Sequence, residues 1–93
     1  MLFFFVISSI ALSAQITLKG KVYDEYLDPF PNAIINSLQS TATTTSNING
    51  NFTLTLKKKL PYILLISAKG YRKEILKITD LKEELNIILK EIK

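Results

Sequence analysis

An all-β fold, a sandwich or a barrel, is predicted by two features of this chain. Apolar and polar residues alternate with a period of two along several short runs. Turn-forming residues separate these runs, so strands recur at intervals of about 8–12 residues between Gly20 and Gly70. The length of 93 residues limits the chain to one domain.

The first element is not a strand. Residues 1–14 (MLFFFVISSIALSA) carry no charge and are nearly all apolar or small. They are too short to span a bilayer, which takes about 20 apolar residues. Their length and small-residue end (Ala11, Ser13, Ala14) fit a secretory signal peptide over residues 1–14. No Lys or Arg precedes the apolar run, and Leu12 stands three before the expected cut. An ordinary buried N-terminal strand is the competing reading. Cleavage after Ala14 leaves residues 15–93 as the β domain and keeps the net charge of +4, because every charged residue lies there. No integral membrane segment is then expected.

In residues 16–24 (ITLKGKVYD), Ile16, Leu18, Gly20 and Val22 share one face of a half-buried strand. Two prolines make EYLDPFPN a loop, and Phe30, between Pro29 and Pro31, is expected to tuck against the core. Residues 33–38 (AIINSL) and the β-branched residues 41–45 are the next strands. Asn49-Gly50 predicts a tight hairpin turn, because both residues tolerate positive φ. After it, Phe52, Leu54 and Leu56 point one way, and Asn51, Thr53, Thr55 and Lys57 the other. Residues 62–68 (YILLISA) are apolar on both faces, which fits a central strand. Lys69-Gly70 turns the chain into a strand over residues 71–78. The tail is ambiguous. Leu81, Leu85, Ile88, Leu89 and Ile92 fit a helix face with a start signal at Asp80 and Glu83, whereas Leu85, Ile87 and Leu89 fit a strand. A sandwich needs a closing strand here, which favours the strand.

Composition and motifs argue against chemistry. There is no cysteine, so no disulfide staple, no thiol catalysis and no lipid-modified N-terminal cysteine. There is no histidine, so the base of a Ser-His-Asp site is missing. Ser67 and Lys69 could formally pair, but in an apolar strand they mark a strand end. Asp24 with Asp28, and Glu83 with Glu84, are carboxylates without a substrate cleft. The stretch SNINGN places Asn47, Asn49 and Asn51 at alternate positions, yet supplies no carboxylate to balance a calcium ion. Asn51-Phe52-Thr53 is a glycosylation sequon of the kind that occurs by chance. Lys57, Lys58 and Lys59 fall short of a nucleic-acid patch, with no interleaved aromatic to stack on bases. They read as a solvated turn that guards a strand edge. No catalytic residue, metal ligand set, cofactor or nucleic-acid partner is expected.

The motifs form an ordered set: Gly20-Lys21-Val22-Tyr23-Asp24, then Pro29-Phe30-Pro31-Asn32-Ala33, then Thr45 through Asn49, Gly50 and Phe52 to Leu54, then Ser67-Ala68-Lys69-Gly70-Tyr71. This order and spacing resembles the carboxypeptidase regulatory-like domain, over about residues 17–90. It looks especially like the version at the start of TonB-dependent outer-membrane receptors of Bacteroidetes-type bacteria, where the domain follows a signal peptide ending in Ala-Gln, as Ala14-Gln15 does here. The resemblance implies a seven-stranded transthyretin-like (prealbumin-like) Greek-key β-sandwich and a strand for LNIILKE. Gly20, Val22, Asp24, Pro31, Ala33, Asn49, Gly50, Phe52, Leu54, Gly70 and Tyr71 are then structural residues. The family usually has Gly where Asp28 and Asn32 stand, and both residues can adopt turn geometry. Its Thr-Asp before the Asn-Gly turn is here Ser46-Asn47.

The resemblance also implies a non-enzyme. The expected function is an exported accessory or interaction module of the periplasm or outer membrane. It would dock a protein partner at the cell envelope through strand edges or loops, or precede a receptor plug and barrel. A carbohydrate- or surface-binding module is the alternative, with Tyr26 and Phe30 in the Pro-rich loop as its aromatic candidates.

Overall fold

The computed structural model describes residues 15–57, 60–80 and 84–92. Expectations that fall on residues 1–14, Lys58, Lys59, Leu81, Glu83 and Lys93 lie outside them. The strands are β1 (Ile16–Tyr23), β2 (Ile34–Ser37), β3 (Thr43–Thr45), β4 (Asn51–Leu56), β5 (Tyr62–Ser67), β6 (Glu74–Ile78) and β7 (Leu85–Ile88). One sheet has the order β4-β1-β7 and the other the order β3-β2-β5-β6. The described residues contain no helix. The predicted seven-stranded sandwich is the observed fold.

Alternation sets the core. β1 and β4 pair antiparallel with Leu18 opposite Leu54 and Gly20 opposite Phe52. Leu18, Val22, Phe52, Leu54 and Leu56 point inward from this sheet, and Ile35, Tyr62, Leu64, Ile66 and Ile78 meet them from the other. A fully buried aliphatic or aromatic side chain of this kind contributes about 1.5–3 kcal/mol. Gly20 leaves room for this packing. A Cβ there would stand 2.5 Å from the Phe52 ring and 2.9 Å from the Leu85 carbonyl oxygen.

The tail is a strand. β7 lies parallel to β1, with Val22 opposite Ile87, and buries Ile87 while Leu89 follows into the core. A helix would satisfy the local pattern but would leave the β7 side of β1 without a ladder. Beyond β7 the chain ties the two sheets together. Leu89 N–H donates to the Tyr23 carbonyl (2.9 Å), while Arg72 N–H donates to Lys90 (2.8 Å) and Ile92 N–H to Gly70 (3.0 Å).

Four expectations are corrected. The Asn49-Gly50 turn does not join a hairpin: β3 pairs with β2 and β4 with β1, so the turn carries the chain from one sheet to the other. Only Gly50 there has positive φ (80°); Asn49 does not. In the Pro-rich loop Asn32 takes positive φ (63°), but Leu27 (66°) rather than Asp28 takes the other such position. The strand expected from Tyr71 begins at Glu74, because Tyr71 instead bridges to Glu91.

Candidate interaction surfaces

Val22, Ala33 and Gly50 of the motif set meet at one junction, beside which two five-residue turns repeat one design. In residues 24–28, Asp24 N–H donates to Asp28 O (3.0 Å) and Leu27 N–H to Asp24 O (3.0 Å). The Asp24 carboxylate accepts from the N–H groups of Tyr26 (2.8 Å) and Asp28 (3.0 Å). In residues 47–51, Asn47 N–H donates to Asn51 O (2.9 Å) and Gly50 N–H to Asn47 O (2.8 Å). The Asn47 amide oxygen accepts from Asn49 and Asn51 N–H, each at 2.9 Å. Both turns open with a side-chain oxygen that holds two backbone amides and place positive φ at the fourth residue. The chemistry-bearing atoms of SNINGN thus serve their own backbone.

Ser46, just before the second turn, binds the Pro-rich loop that follows the first. Its side chain is buried; the hydroxyl donates to the Phe30 carbonyl (2.7 Å) and accepts from Ala33 N–H (2.9 Å). Backbone bonds from Asn32 N–H to Ser46 O (2.9 Å) and Ser46 N–H to Ala33 O (3.0 Å) close the same junction. Val22 stands at its centre, donating its N–H to Gly50 O (2.8 Å) and accepting from Phe30 N–H (2.8 Å). This places Val22, Ala33, Gly50 and the Pro31 loop together. Ser46 is the residue sequence reasoning undervalued. Its signal is the small hydroxyl just before the turn residue Asn47, where a buried backbone needs both a donor and an acceptor. No buried side-chain nitrogen or oxygen among the described residues lacks a partner.

The remaining candidates separate. Phe30 is half-buried and packs edge-on against Tyr71, with centroids 4.7 Å apart. Tyr26 is 81% exposed, so the two aromatic candidates of the Pro-rich loop face different environments. Ser67 lies opposite Ile34 at the end of β5, and Lys69 follows in the turn before Gly70 (φ 87°). The described residues hold no cluster of His, Cys, Asp or Glu suited to a metal ion, and no helix long and apolar enough to cross a membrane.

What the molecule presents outward differs sharply between its sheets. Alternation turns Thr17, Lys19, Lys21 and Tyr23 of β1 and Asn51, Thr53 and Thr55 of β4 away from the core. Lys21 lies over the Tyr23 ring at 5.4 Å. This face is mostly polar, with Ile88 of β7, opposite Tyr23, as its exposed aliphatic residue. The four-stranded sheet instead turns Ile34, Ile63, Leu65 and Ile75 outward, with Leu65 opposite Ile75 and Ile63 opposite Lys77. Leu38 extends the row, its N–H donating to Ile63 O (2.9 Å). Ile75 is 66% and Leu38 52% exposed. The both-faced hydrophobicity of residues 62–68 therefore reflects a central strand with one face in the core and one turned outward.

Comparison with known proteins agrees with this architecture. A chain of the type II cohesin–X-dockerin complex from Acetivibrio cellulolyticus, in an N-terminal interface mutant, superposes with a TM-score of 0.67 at 11% identity. A chain of the C-terminal interface mutant of that complex gives 0.65 at 11% identity. These matches cover 81% and 78% of this chain but only 57% and 56% of theirs, so this chain spans little more than half their length. At that identity the likeness is one of fold. No curated protein matches the sequence. The CarboxypepD_reg-like domain model matches residues 18–93, which takes in both turns, the Ser46 junction and all strands after the start of β1. The chain belongs to the CarboxypepD_reg-like domain family.

Proposed function

We propose that this domain is a non-catalytic, exported interaction module that acts at the bacterial cell envelope as the front domain of a TonB-dependent outer-membrane receptor. One observation carries the non-catalytic reading. The polar side chains at the junction and its two turns, Asp24, Ser46 and Asn47, are engaged with neighbouring backbone groups. A nucleophile or general base needs a free side chain beside a substrate cleft. The apolar outer face of the four-stranded sheet supports recognition instead, since exposed apolar patches rimmed by polar residues mark interaction sites. Family membership supports the same role, and the likeness to chains of a cohesin–X-dockerin complex is consistent with a sandwich that meets protein partners.

The test is envelope fractionation with an antibody against the domain. The expected result is an outer-membrane band far larger than the domain, whose N-terminal sequencing starts at Gln15. An unprocessed cytoplasmic product would overturn the export reading. A processed free domain in the periplasm would retain export and remove the receptor.

A further inference from the structure

We propose that the β6 edge and the adjoining outer face of the four-stranded sheet take an extended acidic segment of a second protein, added as a further strand. This rests on the interaction-module reading and names the edge and the partner chemistry. Among the described residues β6 ends its sheet, so one side of Glu74–Ile78 presents backbone donors and acceptors to an incoming chain. Next to that edge lies the apolar row. Ile75 stands opposite Leu65, Leu65 opposite Asn36, and Leu38 flanks Ile63. Alternate residues of an added strand would extend this row.

Charge selects the occupant. Lys77 lies on the outer face of β6, and exposed Lys73 precedes the strand in the same alternation. The one carboxylate of β6, Glu74, alternates with the inward-facing Leu76 and Ile78. No Asp or Glu occurs in β2, β3 or β5. Asp80 and Glu84 border Lys77 beyond the end of β6, so the attraction for carboxylates centres on Lys73 and Lys77 of the outer face, and an antiparallel second copy with Ile75 opposite Ile75 would set Lys73 against Lys77. Area points the same way. From strand spacings the outer face spans about 300 Å², well short of the roughly 800 Å² per partner of a standard interface. An added strand gains affinity from main-chain hydrogen bonds and needs less area. The other three edges fit less well: β4 turns Asn51, Thr53 and Thr55 outward, β3 is three threonines, and β7 is four residues long with Ile88 its one outward aliphatic residue.

The full chain, isotopically labelled, is titrated with two synthetic peptides of alternating residues, Leu/Glu and Leu/Lys, each ended with proline to block self-assembly. The Leu/Glu peptide is expected to shift and protect β6 amides and to move the Leu65 and Ile75 methyl signals; the Leu/Lys peptide is not. The double variant Lys73→Glu, Lys77→Glu keeps a native spectrum, since both side chains are exposed. It is expected to weaken Leu/Glu binding at least about tenfold and to favour Leu/Lys. Ile75→Thr, which keeps strand propensity, is expected to weaken binding of the Leu/Glu peptide. Equal binding of both peptides, shifts centred on β4, or β6 shifts that grow with protein concentration alone would overturn the proposal, the last by assigning the edge to a second copy. Absence of Leu/Glu binding would overturn it too, yet leave the envelope role to the fractionation test.

Discussion

The turns at residues 24–28 and 47–51 share their hydrogen bonds and their positive-φ fourth residue, but one has Leu27 there and the other Gly50. Backbone conformation alone therefore does not impose glycine. Space does. A Cβ on Gly50 would stand 2.5 Å from the Val22 carbonyl oxygen and 3.1 Å from Phe30 N, whereas Leu27 is 63% exposed and its side chain meets water. A left-handed L-residue costs about 1–2 kcal/mol, which an exposed turn held by Asp24 tolerates and a packed crossing between sheets does not.

Substitutions can break this comparison. Gly50→Ala combines the left-handed penalty with a collision against backbone, so a loss of about 2–5 kcal/mol is expected. In a small domain without disulfides that loss abolishes the cooperative thermal transition seen by circular dichroism. A normal melt would show that the crossing can shift. Ser46→Ala orphans the Ala33 N–H and a Phe30 acceptor bond in a buried site, with an expected loss of about 1–3 kcal/mol in urea unfolding. Ser46→Thr should be nearly neutral if the hydroxyl alone matters.

Removing the side-chain oxygens sharpens the comparison. Asn47→Ala and Asp24→Ala each free two backbone amides, and each should lose about 1 kcal/mol by analogy with helix caps. Asn47→Asp and Asp24→Asn keep an acceptor oxygen and should change the urea midpoint little. Leu27→Gly relieves the left-handed strain against the greater chain entropy of glycine, for an expected gain of up to about 1 kcal/mol. A loss on Leu27→Gly would mean that the Leu27 side chain stabilises the turn by packing.

Much of the fold is legible locally. The alternation in residues 51–56 places β4 and its inward Phe52, Leu54 and Leu56, because a half-buried strand writes its burial into its own sequence. The motif set around Gly20, Asp24, Gly50 and Tyr71 points to the family that the domain match shows. The start of β6 is not legible, since Tyr71 leaves the strand pattern to bridge Glu91 far along the chain. The role of Ser46 is equally hidden, because its partners, Phe30 and Ala33, come from a different loop.

The balance between pattern and context follows from the range of each interaction. Period-two hydrophobicity, turn residues and the absence of His and Cys are local or compositional. From the chain alone they establish a β domain and leave no base for Ser-His-Asp chemistry. Which sheet each strand joins depends on ladders between distant residues. Pairing β4 with β1 and β3 with β2 turns an apparent hairpin into a crossing between sheets. Pairing β7 with β1 settles a tail that reads equally as helix or strand. Placing β5 between β2 and β6 leaves its Ile63 and Leu65 on an outward face rather than in the core.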